Sequence, residues 1–137
     1  MAAQLRAARA VAGEGRLVVG FQPHLYSRTR EFAAGFGAAL GLADDVVVME
    51  VYGAREDPVP GVTGAMVADA VPLPSGRVLF EPSWSAAAPA LAERAREGDL
   101  VVTMGAGDVS MVGPEVLEVL RARTPAAAAP PRRPSRR

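Results

Sequence analysis

The sequence contains no cysteine and no lysine, and each absence excludes a class of chemistry. Without cysteine the chain has neither a disulfide framework nor a thiolate nucleophile, which is compatible with a cytoplasmic protein. Without lysine it cannot form a Schiff base and cannot supply the phosphate-binding lysine of a P-loop. All 15 basic residues are arginines.

Aromatic residues and long apolar runs are also scarce. Aromatics make up 5% of the 137 residues and hydrophobic residues 50%, so we expect one domain whose core consists mainly of alanine and valine. No segment reaches the ~18 apolar residues of a membrane span, and the N-terminus has no apolar run of signal-peptide length. The sequence therefore predicts a soluble, cytoplasmic protein that contacts no membrane.

The charges balance overall but are unevenly distributed. Fifteen acidic residues match the arginines, so the formal net charge is +0. Four arginines lie in the last 14 residues, and the remaining 11 face 15 acids, which gives the rest of the chain a net charge of −4. A mildly acidic body is not expected to bind nucleic acid. The basic tail either stays in solvent, which we favour, or contacts an acidic partner.

Four short apolar runs predict the strands of a sheet. Each run is continuously apolar rather than alternating, which is typical of parallel strands covered on both faces. The runs span residues 17–21, 46–51, 77–80 and 100–104.

Segments with helical periodicity separate these runs. They span residues 2–11, 28–40, 63–71, 89–96 and 114–120. Pro89 and Pro114 are each expected in the first turn of a helix, where a missing N–H costs least. Ser27 or Thr29 is expected to cap the start of the second helix.

The alternation of strands and helices predicts an α/β fold. We expect a Rossmann-like, mostly parallel sheet with helices on both faces and right-handed crossovers. Because the chain opens on a helix, we also expect that the first strand of such a fold is missing. Ligands bind at the carboxyl ends of the strands in such sheets, so the segments that follow the strands are the candidate sites.

The first candidate segment, residues 21–30, follows the first strand and contains the single histidine, His24. Tyr26, Arg28 and the free N–H groups of the next helix can converge there on a carboxylate. The alternative is a loop with a capping serine and solvated arginines. One histidine is too few for a metal site, so no metal ligand is predicted.

Two further segments follow later strands. Glycines in residues 105–108 would let the backbone approach a ligand closely, although a plain turn is the alternative. Ser110 occupies the third glycine position of a dinucleotide fingerprint, which argues against an oxidoreductase domain. Residues 52–58 are expected to form a surface loop whose charges pair with each other.

Three strings in the same order resemble the C-terminal domain of the Mur ligases that add alanine. They are FQPHLYSRTR, VYGAREDPVPGVTG and GDLVVTMGAGDV, at residues 21–30, 51–64 and 98–109. The resemblance implies an ATP-dependent ligase that joins L-alanine to the lactyl carboxylate of UDP-N-acetylmuramate in peptidoglycan precursor synthesis. The reaction passes through an acyl phosphate, and Mg²⁺ offsets the phosphate charge.

The family resemblance also implies roles for particular residues. His24 is implied as a catalytic residue, and the implied substrate-binding residues are Tyr26, Arg28, Thr29, Gly105, Ala106 and Gly107. ATP and Mg²⁺ would be held mainly by a central domain and the UDP-sugar by an N-terminal domain. The third domain would close over the site and exclude water.

The sequence departs from the family pattern at its start. The family's acidic, histidine-rich DDYxHHPTE-type opening segment has no match here. We therefore expect residues 1–123 to be an N-terminally truncated Mur ligase C-terminal domain that is inactive alone. The alternative is a stand-alone, non-catalytic binding or regulatory module derived from the same fold.

Residues 124–137 read TPAAAAPPRRPSRR and are expected to be disordered, because they can bury too little apolar surface to offset ordering entropy. Deleting them should shift the thermal midpoint by only a few degrees, about the effect of a sub-kcal/mol change. Differential scanning calorimetry of the two chains measures this shift. A drop of more than about ten degrees would show that the tail packs on the body.

Overall fold

The computed structural model describes residues 1–124, and the tail expected to be disordered lies, from residue 125 on, outside the described residues. Helices and strands alternate along the described part, which confirms the α/β prediction. The helices are α1 Ala2–Ala12, α2 Tyr26–Leu40, α3 Ala65–Ala70, α4 Trp84–Arg94 and α5 Val112–Arg123. The strands are β1 Leu17–Gln22, β2 Asp45–Met49, β3 Val78–Glu81 and β4 Leu100–Gly105. Two 3₁₀ turns span Ser75–Arg77 and Gly107–Met111.

The four strands form one parallel sheet in the order β3-β2-β1-β4. The chain steps from β1 outward to β2 and β3, and then returns to place β4 on the other side of β1. The direction of winding therefore reverses between β1 and β4, where Gln22 is in register with Gly105. Open α/β sheets bind ligands at such a switch point, which puts the candidate site between the ends of these two strands.

Helices cover both faces of the sheet, which explains why the predicted strands are continuously apolar. Side chains of α1, α2 and α3 pack with Val19 and Phe21 on one face. Side chains of α4 and α5 pack with Val18 and Val47 on the other face. Phe21 is the one aromatic residue among the buried members of these two clusters, so the predicted aliphatic core is confirmed. No helix in residues 1–124 is long and apolar enough to cross a membrane.

Two predicted helix starts are wrong. α4 begins at Trp84, after Ser83 in extended backbone, so Pro89 is its sixth residue rather than a first-turn residue. α2 begins at Tyr26 with Leu25 as its N-cap and no side-chain cap, so neither Ser27 nor Thr29 caps it. Helix bounds depend on backbone hydrogen bonds that composition does not display.

Elsewhere the predicted boundaries differ from the observed ones by at most three residues. Pro114 does lie in the first turn of α5. The 3₁₀ turn at Gly107–Met111 was not predicted.

An ion cluster holds the amino ends of the strands together. Arg16 Nη1 donates to Asp45 Oδ2 at 2.7 Å, and Arg16 Nη2 donates to Asp99 Oδ2 at 3.0 Å. Asp99 also accepts backbone N–H groups, from Arg16 at 3.1 Å and from Arg96 at 2.9 Å. The Asp99 side chain is 5% exposed. The loop before β4 is therefore tied to Arg16, at the start of β1, by two hydrogen bonds to one carboxylate, while the bond from Arg96 closes the loop itself.

Asp99 should contribute to stability mainly in its ionised form. Burial raises the pKa of this carboxyl, but hydrogen bonds from Arg96 and Arg16 outweigh that effect and lower the pKa below its ordinary value. A lowered folded-state pKa stabilises the fold above the unfolded pKa, and this stabilisation is lost as pH falls through the folded pKa.

Replacing Asp99→Asn should lower the free energy of unfolding at neutral pH by about 2–4 kcal/mol, because Arg16 loses a buried charged partner. Urea denaturation at several pH values measures the loss, which should shrink towards acid pH as the native carboxylate is protonated. The exposed Asp69, changed to Asn, is the matched control and should have little effect. An equal loss in both variants would contradict the assignment of stability to this cluster.

Candidate functional site

The carboxyl ends of β1 and β4 frame a cavity of about 320 Å³. This volume lies near the lower end of the usual range for ligand pockets, about 300–1,000 Å³. Residues from both candidate motifs line the cavity, as the shared edge of the sheet led us to expect. Four of the predicted site residues take part: His24, Arg28, Gly105 and Ala106. The other lining residues are Met1, Gln4, Phe21, Gln22, Phe36 and Met104.

The loop that carries His24 is tied to the loop after β2. The Tyr52 N–H donates to the Pro23 carbonyl at 2.8 Å, and the Leu25 N–H donates to the Tyr52 carbonyl at 2.9 Å. Leu25 has a φ of 66°, a left-handed conformation that non-glycine residues rarely adopt. Such strain persists where the surroundings hold it, and it clusters at functional sites. The backbone on both sides of His24 is therefore fixed.

Thr29 supports this loop from inside the fold. Its hydroxyl donates to the Leu25 carbonyl at 2.7 Å, and its backbone N–H donates to the same oxygen at 3.0 Å. The residue is 0% exposed. The Thr29 side chain therefore helps to hold the strained Leu25. The resemblance implies that Thr29 binds substrate, but Thr29 does not line the cavity.

The amino end of α2 already has an anion from its own chain. The Ser27 N–H donates to Glu56 Oε2 at 3.0 Å, and the Ser27 hydroxyl donates to the other carboxylate oxygen. Hydrogen bonds from the Ser27 hydroxyl and N–H, against a small opposing effect of burial, lower the pKa of Glu56. Two expectations are corrected here. The Ser27 N–H is not free for a ligand, and Glu56 bonds Ser27 instead of a charge in its own loop.

Tyr26 lies at a different cavity from His24 and Arg28. It lines a space of about 400 Å³ together with Glu50 and the loop 58–63. A Cβ added at Gly53 would lie 2.5 Å from Tyr26 Cε2, so this ring packs closely on the loop after β2. The structure does not bring Tyr26 together with the other predicted residues, and its role as a substrate-binding residue stays a prediction.

The two glycines at the end of β4 and just after it are required by geometry. Gly105 has a φ of +138°, and a Cβ there would lie 2.4 Å from the Gln22 carbonyl oxygen. Gly107 has a φ of +74°, and a Cβ there would lie 3.2 Å from the Tyr52 ring. Gly105 and Ala106 line the cavity with His24, whereas Gly107 packs against Tyr52.

Two residues that sequence reasoning did not single out belong to this region. The Tyr52 ring stacks on the His24 imidazole, with centroids 5.9 Å apart and planes 17° apart. Gln22 is 8% exposed, lines the cavity, and its Oε1 has no hydrogen-bond partner. Gln22 is the last residue of β1 and Tyr52 lies in the loop after β2, and both fall within the quoted strings. The position of strand ends in a parallel sheet was therefore the signal that could have found them.

A larger cavity, of about 430 Å³, lies at the opposite edge of the sheet. Its lining includes Arg16, Arg94 and Asp45, which are already joined in the ion cluster. We favour the smaller cavity as the candidate site, because it lies at the switch point and combines a histidine and an arginine that form no ion pair within residues 1–124.

The described residues do not provide a metal site. No group of three or more His, Asp or Glu side chains in residues 1–124 is placed to hold an ion. The arrangement can instead bind an anion through Arg28 and exchange a proton at His24. Those two capabilities suit a small zwitterion with a carboxylate and an amine.

Comparison with known proteins identifies what this chain is similar to. The family described as Mur ligase, glutamate ligase domain, matches residues 1–107. A UDP-N-acetylmuramate--L-alanine ligase from Saccharopolyspora erythraea is 67% identical over 115 residues, covering 84% of this chain and 24% of that protein. The protein of the same name from Kineococcus radiotolerans is 69% identical over 121 residues, covering 88% and 26%. The chain thus spans about a quarter of the length of these curated relatives.

A solved structure shares the fold. It is a domain described as a UDP-N-acetylmuramate:L-alanyl-gamma-D-glutamyl-medo-diaminopimelate ligase domain from Haemophilus ducreyi 35000HP. The TM-score is 0.57 at 18% identity, covering 87% of this chain and 80% of that one. At this identity the likeness supports the architecture alone.

Glu56→Gln should lower the thermal midpoint at neutral pH, because the charge that meets the amino end of α2 is lost. Since the folded-state pKa of Glu56 is lowered, this stabilisation exists above the unfolded pKa and disappears as pH falls through the folded pKa. Thermal melts from neutral to acid pH should therefore show the variant and native curves converging. Glu31→Gln, an exposed substitution within α2, is the control. If the midpoints of this control and the native chain also converge as the pH falls, the stabilisation cannot be assigned to Glu56.

Proposed function

The chain belongs to the Mur ligase family, and on that basis we propose that it is the C-terminal domain of a ligase that adds L-alanine to UDP-N-acetylmuramate. The match over residues 1–107 and the shared name of the curated relatives support this proposal. The ligase would act in the cytoplasm, in the synthesis of peptidoglycan precursors. Its other domains would bind the nucleotide and the UDP-sugar.

The observation that carries the proposal is the shared cavity of His24 and Arg28 at the switch point of the sheet. Alanine is a zwitterion, so a site for it needs a cation for the carboxylate and a group that manages the amine proton. The Arg28 guanidinium can bind the carboxylate through two parallel N–H donors. Gly105 and Ala106 bring backbone close to the same space.

His24 would serve the amine. An ammonium group has no lone pair, so the nitrogen must lose a proton before it attacks the carboxyl carbon of the sugar substrate. A neutral imidazole nitrogen accepts that proton, or it orients the amine by a hydrogen bond. Both roles need the ring to be held at the cavity, as it is here.

ATP and Mg²⁺ would be held outside this domain. The sequence has no lysine for a P-loop, and residues 1–124 contain no cluster of metal-ligating side chains. These residues do not fit an ATP–Mg²⁺ site, so we assign no step of nucleotide chemistry to them.

A chimera tests the proposal directly. The matching quarter of the Saccharopolyspora erythraea ligase would be replaced by this chain, and the formation of the alanine product measured. Within that chimera, Arg28→Ala should raise the KM for L-alanine by roughly ten- to hundredfold, the cost of losing a charge-assisted contact of ~1.5–3 kcal/mol. The KM for ATP should change little.

Two further variants make the test specific. Arg30→Ala removes an exposed arginine from the same helix that does not line the cavity, and it should leave the alanine KM unchanged. His24→Ala should lower kcat if the ring accepts the proton, and raise the alanine KM if it only binds. Selective weakening of ATP binding by Arg28→Ala and His24→Ala, with alanine unaffected, would show that the loop does not form the amino-acid site.

A further inference from the structure

The Tyr52 ring occupies a defined position between two candidate loops. On one side it stacks on the His24 imidazole, with centroids 5.9 Å apart and planes 17° apart. On another side it meets Gly107, where an added Cβ would lie 3.2 Å from its Cδ1 and Cε1 atoms. Tyr52 therefore touches the loops after β1 and β4, although it follows β2 in the chain.

The backbone of Tyr52 is joined to both neighbours of His24. Its N–H donates to the Pro23 carbonyl at 2.8 Å, and its carbonyl accepts the Leu25 N–H at 2.9 Å. These bonds form a parallel bridge that pairs Tyr52 with His24. Because they fix the main chain at both residues, the freedom that remains to His24 is the rotation of its side chain.

The stacked ring restrains that rotation. An aromatic face packed nearly parallel to the imidazole disfavours ring orientations that would turn its edge into the tyrosine. The ring nitrogens lie in the edge of the imidazole, and a stack on the face leaves that edge available. Tyr52 itself is 43% exposed, which is a large exposed fraction for an aromatic residue with a purely structural role.

Gly107 completes the arrangement. A Cβ at 3.2 Å from the ring would force the tyrosine to shift, so the absence of a side chain there allows the stack. The presence of glycine at position 107 is therefore explained by its packing against Tyr52, without direct contact with a ligand. The string and the histidine motif would be coupled through one ring.

We propose that Tyr52 is a positioning residue that fixes the plane of the His24 imidazole at the cavity. The inference rests on the proposed function, since the purpose of the fixed plane is to present a ring nitrogen to the amine of the incoming amino acid. Tyr52 acts through His24 and would not itself bind the reacting atoms. Its aromatic ring is needed, whereas its hydroxyl is not.

The single histidine makes a direct test possible in the 137-residue chain. Every histidine ring signal in its NMR spectrum comes from His24, so no assignment between histidines is needed. The His24 ring protons should be displaced by the ring current of Tyr52. Tyr52→Phe should preserve that displacement, and Tyr52→Leu should abolish it. Phe32→Leu removes an aromatic of similar exposure, 44%, and should leave the His24 signals in place.

The same variants in the chimeric ligase separate positioning from stability. Tyr52→Leu should lower kcat by about ten- to hundredfold, the usual effect of displacing a reacting group by a fraction of an ångström to 1 Å. The KM for ATP should stay the same, and Tyr52→Phe should restore kcat. Thermal melts of each variant show whether a loss of kcat reflects unfolding.

Each failure has a distinct meaning. Unchanged His24 signals in Tyr52→Leu, or equal loss of kcat in Tyr52→Phe, would overturn the positioning role. If Tyr52→Leu changes the His24 signals but leaves kcat unchanged, the positioning role is also overturned. The proposed function stays intact in that case if Arg28→Ala still raises the alanine KM. An unsubstituted chimera without ligase activity would instead count against the proposed function, and the NMR comparison would still decide whether Tyr52 fixes the ring.

Discussion

The close packing around β1 is the constraint on which the rest of the fold depends. β1 is paired on both edges and covered on both faces, and all six of its residues are buried. Gly20 shows how little space remains, because a Cβ there would lie 2.8 Å from Leu91 Cδ1 in α4. Because β1 is enclosed in this way, its register with the neighbouring strands fixes where those strands end along the sheet. The motif after β1 therefore meets the loop after β4 at one edge of the sheet.

Much of this architecture was readable from the sequence, because continuous apolar runs identify strands covered on both faces. All four runs became strands, and their alternation with helical segments gave the fold class. The position of Pro89 was predicted wrongly by such reasoning. A proline is favoured in a first turn, yet α4 starts at Trp84 and accommodates it as the sixth residue. Packing of the helix on the sheet outweighed the local preference.

The candidate site was predictable in location and less so in detail. Strand ends and short motifs led to His24 and Arg28, and the structure places both at one cavity. The partners of those residues depend on contacts between distant loops, which no local pattern reveals. Glu56 reaches Ser27 across 29 positions of sequence, and Tyr52 reaches His24 across 28. Such contacts become visible only when the sheet has brought its loops together.

The ion cluster around Arg16 and Asp99 has a consequence for engineering this domain. It lies at the amino ends of the strands, and a strand of six residues separates it from the cavity by roughly 20 Å, at about 3.3 Å per residue. Substitutions more than about 10 Å apart with no shared partners usually act independently. The amino edge can therefore be redesigned for heat resistance while the cavity at the carboxyl edge is redesigned for a different ligand. The two sets of changes can be optimised separately and then combined.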